Sequence, residues 1–86
     1  MADIKIYTAT YCPYCVKAKE LLKRKGYKNF KEIDVTDSDE LRLEMTKKAG
    51  GRKTVPQIFI NDKHIGGCDD IYALDSKGEL DKILSA

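Results

Sequence analysis

The sequence predicts an α/β domain in which helices cover both faces of a sheet, with elements in the order βαβαββα. Two observations predict it. Short segments rich in Ile, Val and Phe alternate with longer stretches whose apolar residues recur at helical spacing. Glycines and an Asn-Asp pair punctuate the joins between them.

Asp3 to Thr8 sets Ile4 and Ile6 between polar neighbours, the alternation of a strand. Thr10-Tyr11-Cys12-Pro13 then reads as a helix entry, because proline suits the first helical position. From Tyr14 to Lys25, Cys15, Ala18, Leu21 and Leu22 share one face, lysines and Arg24 gather at the end where the helix dipole favours cations, and Gly26 ends the helix. Phe30 to Val35 is a second strand, parallel to the first because a helix connects them. Asp37 with Glu40 resembles a capping box opening a helix through Leu41, Met45 and Ala49, which Gly50-Gly51 closes. Val55 to Ile60 forms a strand, Asn61-Asp62-Lys63 a turn, and His64-Ile65 the returning antiparallel strand. Cys68-Asp69-Asp70 starts another helix carrying Ile71 and Leu74, and a last helical turn after Gly78 carries Leu80, Ile83 and Leu84.

At 86 residues the chain is expected to be one domain, spanning 1–86. With 42% hydrophobic and 35% charged residues it has the composition of a folded domain rather than a disordered one. A net charge of +2, with lysines scattered along the chain, excludes a nucleic-acid reading. The apolar runs are too short to span a membrane, and Met1-Ala2-Asp3-Ile4-Lys5 opens no apolar stretch of signal-peptide length. A reducing cytoplasm is the expected compartment. Three cysteines, only two of them close together, argue against a structural disulfide framework and for redox or metal chemistry.

That chemistry centres on Cys12-Pro13-Tyr14-Cys15. Cysteines separated by two residues, directly after a strand and opening a helix, can bring their sulfurs together across the first turn. Cys12 at the helix start faces unsatisfied amide N–H groups and the positive end of the dipole, which favour thiolate over thiol. Cys15, one turn inside, is expected to be less exposed and less acidic. Cys12 therefore attacks and Cys15 resolves. A zinc site of Cys12, Cys15, His64 and Cys68 is a chemically legitimate alternative. Proline after the first cysteine and a full helix after the second favour the redox reading.

Three segments in fixed order resemble the glutaredoxin family, in its dithiol form, over essentially the whole chain. They are Cys12-Pro13-Tyr14-Cys15, Thr54-Val55-Pro56-Gln57-Ile58-Phe59-Ile60 and His64-Ile65-Gly66-Gly67-Cys68-Asp69-Asp70. The resemblance implies a thioredoxin fold, a four-stranded mixed sheet flanked by three main helices, and a glutathione-dependent disulfide oxidoreductase. It implies a cis Val55-Pro56 bond beside the cysteines, leaving the Val55 backbone to pair with the cysteinyl backbone of glutathione as a β-ladder rung. Thr54 and Gly67 belong to the same implied binding segments. Amides at Cys68, Asp69 or Asp70 would receive the α-carboxylate of the γ-glutamyl end, and the Asp70 carboxylate, helped by Asp69, its α-ammonium. Tyr14 would flank the glutathione sulfur, and Lys53 and Arg42 are the cationic candidates for the glycyl carboxylate. Many relatives carry a lysine three residues before the nucleophile. Here Ala9 stands there, and that charge is missing.

Glutathione is thus expected as a co-substrate, with no tightly bound cofactor. Expected partners are disulfide-containing or glutathionylated proteins, with ribonucleotide reductase among the family's clients, served by a monomer. A thioredoxin reading is disfavoured, because that motif normally carries Trp before the first cysteine and Gly-Pro inside it. This chain has no tryptophan. Reference potentials of the two families differ by roughly 40–70 mV, about 2–3 kcal/mol for a two-electron couple, which favours reduction by glutathione on the glutaredoxin side. Competing readings are an iron–sulfur or zinc module, against which the proline beside Cys12 argues, and a redox-regulated interaction protein without turnover. His64 is expected to be an exposed strand residue rather than a catalytic base, and Cys68 to lie outside the dithiol cycle.

Overall fold

The computed structural model describes residues 3–10 and 12–85, so the part assigned to Tyr11 in the helix entry lies outside the described residues. Its elements are β1 (Ile4–Thr8), α1 (Pro13–Arg24), β2 (Lys31–Asp34), α2 (Asp39–Lys48), β3 (Gln57–Ile60), β4 (Lys63–Gly66), α3 (Cys68–Ser76) and α4 (Leu80–Leu84). The strands form one sheet in the order β2-β1-β3-β4. β1 runs parallel to β2 and antiparallel to β3, and β3 runs antiparallel to β4 with a register shift between Ile58 and Phe59. This is the mixed four-stranded sheet expected. The final helical turn stands as a helix of its own, making the order βαβαββαα.

The period of two in the strands sorts the core onto both faces of the sheet. Ile4, Ile6, Ile58 and Ile60 pack with Ala18, Leu21 and Leu22 of α1, Ile71 of α3, and Leu80 and Leu84 of α4. Tyr7 and Phe59 point the other way, to Val35 and to Met45 and Ala49 at the end of α2. The sheet's central strands are therefore buried on both faces, as a sheet between helices must be. Among the described residues no helix is long and apolar enough to cross a membrane.

Several boundaries differ from the sequence expectation. The cap of α2 is Ser38, whose hydroxyl accepts the Leu41 N–H at 3.2 Å, rather than Asp37. Serine and aspartate cap comparably, so their order in the chain could not choose between them. β3 begins at Gln57 rather than Val55. The tight turn uses Asn61 and Asp62, both with positive φ, and Lys63 already belongs to β4. β2 ends at Asp34, although the Val35 N–H still reaches the Thr8 carbonyl at 2.8 Å.

Candidate active site

The site forms where α1, the segment before β3 and the start of α3 meet. Cys12 is the N-cap of α1, and its Sγ accepts the Cys15 N–H at 3.3 Å, with Pro13 supplying the first helical position that needs no donor. The same sulfur lies 3.6 Å from the Val55 carbonyl oxygen, to which its thiol can donate. The Val55-Pro56 bond is cis. Cys12 is partly exposed, whereas Cys15 is buried at 1% exposure. Burial, followed by the hydrogen bond with Cys12, pushes the Cys15 thiol up to about 12, with the Ala9 backbone and the Lys19 charge acting in the opposite direction. Ala9 itself is buried, and its carbonyl accepts the Cys12 N–H at 3.4 Å. The two cysteines thus differ as expected: one meets solvent, while the other is held neutral inside.

Beside Cys12 opens a cleft of about 310 Å³. One wall is Thr54, Val55 and Pro56, and the other is Gly67, Cys68 and Asp69 at the start of α3. Tyr14, more than half exposed, closes one end with its ring under the Lys17 ammonium, and Arg52 stands at the rim. Cys68 is buried, and burial followed by the Asp69 charge raises its thiol. It is a cleft wall more than a reactive group.

Glycine is required where the chain turns into α3. Gly66 has φ +127, and a β-carbon there would lie within 2.6 Å of the Asp70 carboxyl carbon. That closeness lets the Asp70 carboxylate accept the Gly67 N–H at 2.8 Å and pair with Arg52 Nη1, also at 2.8 Å. Both partners, Arg52 first, hold the Asp70 carboxyl below its ordinary range.

The sequence-predicted residues separate accordingly. Tyr14, Thr54, Val55, Pro56, Gly67, Cys68 and Asp69 line the cleft, and Cys12 adjoins it through Val55. Asp70 caps the α3 start through the Gly67 N–H and does not line the cleft. Neither Lys53 nor Arg42 lines it. Lys53 is exposed, and Arg42, in the first half of α2, makes its charge felt at Asp34 instead. The lining cation is Arg52, not a residue expected there from sequence. Its signal was present as the first side chain after Gly50-Gly51, but the extra glycine obscured which cation of the loop reaches the cleft. His64, the fourth member of the zinc alternative, is engaged with Gln57 through Nε2 at 2.7 Å. Among the described residues no three His, Cys, Asp or Glu side chains converge in a way that could hold a metal ion.

The chain matches the glutaredoxin family model over residues 4–65. It is 54% identical over 84 residues to glutaredoxin 3 of Escherichia coli K12, covering 98% of this chain and 99% of that protein. With the glutaredoxin of Pseudomonas aeruginosa it shares 52% identity across the full length of both. The solution structure of a Brucella melitensis glutaredoxin superposes with TM-score 0.85 at 55% identity, covering 98% of this chain and 89% of that one. A buckwheat glutaredoxin–glutathione complex superposes with TM-score 0.86 at 29% identity, covering 98% and 77%. A paired-thiol helix start, a cis-proline wall and these relatives lead to one conclusion: the chain belongs to the glutaredoxin family and is a glutathione-dependent thiol–disulfide oxidoreductase.

Proposed function

We propose that this protein reduces protein–glutathione mixed disulfides and protein disulfides, with Cys12 as nucleophile and Cys15 as resolving thiol. The observation that carries the reading is the asymmetry of the pair. The Cys12 sulfur is accessible and bonded to a helix-start amide, while the Cys15 thiol is buried and held protonated up to about 12.

With a glutathionylated client, the Cys12 thiolate attacks the glutathione sulfur. The protein thiolate leaves and takes a proton from water, and Cys12 carries the glutathionyl group. A second glutathione thiolate attacks that group, releasing glutathione disulfide and restoring Cys12. With a protein disulfide, Cys12 first bonds to one client sulfur. The Cys12 hydrogen bond and charge, which help raise the Cys15 thiol, are then gone. Cys15 loses its proton more readily, attacks the Cys12 sulfur and expels the client thiol. Two glutathiones reduce the resulting bridge.

The buckwheat relative was solved as a glutathione complex, and the cleft beside Cys12 offers groups of matching chemistry. The Val55 backbone can pair with the cysteinyl unit, and the Cys68 and Asp69 amides at the start of α3 can accept a carboxylate. Arg52 takes the cationic role assigned from sequence to Lys53 or Arg42 and receives a glutathione carboxylate. Asp70 holds this arrangement by capping Gly67 and pairing with Arg52, and with Asp69 it offers negative charge to the tripeptide's ammonium. Disulfide-bearing proteins, ribonucleotide reductase among them, are the proposed clients of a monomer working in a reducing cytoplasm, in electron transport and cell redox homeostasis.

The test is glutathione-coupled reduction of a glutathionylated peptide and of a protein disulfide. Cys12→Ser is expected to abolish both activities, whereas Cys15→Ser loses only the second. Turnover surviving in Cys12→Ser would overturn the assignment of the nucleophile.

A further inference from the structure

β3 reads Gln57-Ile58-Phe59-Ile60, and its one polar side chain is fully buried. A buried amide left unpartnered is strongly unfavourable, so its hydrogen bonds are informative. Gln57 Nε2 donates to the Thr54 carbonyl at 2.9 Å and to Thr54 Oγ1 at 3.2 Å. A carbonyl oxygen only accepts, so the amide nitrogen must face Thr54 and Oε1 must face the other way. There it meets His64 Nε2 at 2.7 Å. An amide oxygen cannot donate, so the imidazole carries its proton on Nε2 and gives it to Gln57.

The imidazole is itself held. It lies against the Phe59 ring at a centroid distance of 5.1 Å, and Phe59 packs edge-on against Tyr7 at 5.6 Å. Burial keeps His64 below its ordinary range, with the Arg52 charge acting in the same direction and Asp70 opposing it. A continuous path therefore runs from the sheet interior through His64 and Gln57 to Thr54. The next residue is Val55, whose carbonyl lies 3.6 Å from the Cys12 sulfur. Neither Gln57 nor His64 lines the cleft.

We infer that Gln57 and His64 are positioning residues for the reaction: their hydrogen-bonded relay fixes the Thr54-Val55 backbone at the height needed to meet both glutathione and Cys12. The inference rests on the proposed glutathione seat along Val55. It is tested with His64→Leu, which removes the donor, His64→Gln, which restores one at similar reach, and Gln57→Met, which keeps the side chain's length without its polar atoms. Amide resonances of Thr54 and Val55 report the backbone directly. Kinetics with a glutathionylated peptide are read beside reduction of the Cys12–Cys15 bridge by dithiothreitol, which needs no tripeptide groove.

His64→Leu and Gln57→Met are expected to shift the Thr54 and Val55 resonances and to raise KM for the peptide about 5–10-fold, the loss of about one hydrogen bond. The dithiothreitol rate stays within about twofold, and His64→Gln returns both readouts toward the original. Unmoved resonances or an unchanged KM in folded His64→Leu would overturn the inference. So would an equal loss of the dithiothreitol rate, which marks general damage. If the unsubstituted protein fails to turn over the peptide, the functional reading falls instead, and the amide shifts alone decide the relay.

Discussion

Cys12 and Cys15 differ by one helical turn, and that turn divides their chemistry. The first residue of the motif is the cap, where the Cys15 amide donates to the sulfur, and the fourth is inside, where burial keeps the proton on. This division was legible in sequence, because cap and interior are set by neighbours three residues apart. The cleft's cation was not. Arg52 and Lys53 are neighbours in the loop after Gly50-Gly51 and Arg42 lies in α2, and only the folded backbone places Arg52 at the cleft. Arg52→Met is therefore expected to raise KM for glutathione substrates about 3–10-fold, since a half-exposed charge contributes modestly and is screened. The effect should shrink at high salt. Arg42→Met and Lys53→Met should stay within about twofold, the usual range for substitutions away from a site. Steady-state kinetics of the three variants at two ionic strengths decide this.

Among the elements, the caps and turns positioned the site, and they were the least legible part. The period-two and helical patterns located all four strands and the helices, because each reports burial along one segment. Which of two adjacent capping residues serves α2 depends on where the chain leaves β2, and the structure selects Ser38. Ser38→Ala is expected to lower stability by about 1 kcal/mol, while Asp37→Ala changes it by less than about 0.5 kcal/mol. Urea midpoints of the two variants compare them directly, and reversal of the order would restore Asp37 as the cap. Before α3, Gly66 allows the Asp70 carboxylate to fold back on Gly67. Gly66→Ala is expected to cost about 1–3 kcal/mol, through the strained positive φ and the displaced aspartate. Thermal unfolding together with glutathione affinity would show whether the α3 start is lost with it.

At the scale of the molecule, the sheet carries a core on each face, and the Cys15 thiol in the first turn of α1 is buried at 1% exposure. That burial has a global consequence. The folded protein keeps the Cys15 proton up to about 12, whereas the unfolded chain releases it near the ordinary value of 9.0. The stability this contributes is fully present below pH 9.0 and is lost as pH rises toward 12. Urea unfolding of the reduced protein is expected to show a steeper loss between pH 9 and about 10.5 than Cys15→Ala, in which the lysines still titrate. Parallel curves for the two proteins would remove this contribution.

The sequence alone determined the order of the strands and of the helices between them, the family and which cysteine caps α1. Each depends on nearest neighbours along the chain: the alternation in a strand, the proline after a capping cysteine, the spacing of two thiols. Only the tertiary structure decided how deeply Cys15 is buried, which cation reaches the cleft and what holds the Val55 carbonyl beside the Cys12 sulfur. Cys12 and Val55 are 43 residues apart. Distances across such a separation are set by how two faces of the sheet pack, and local pattern carries no record of that.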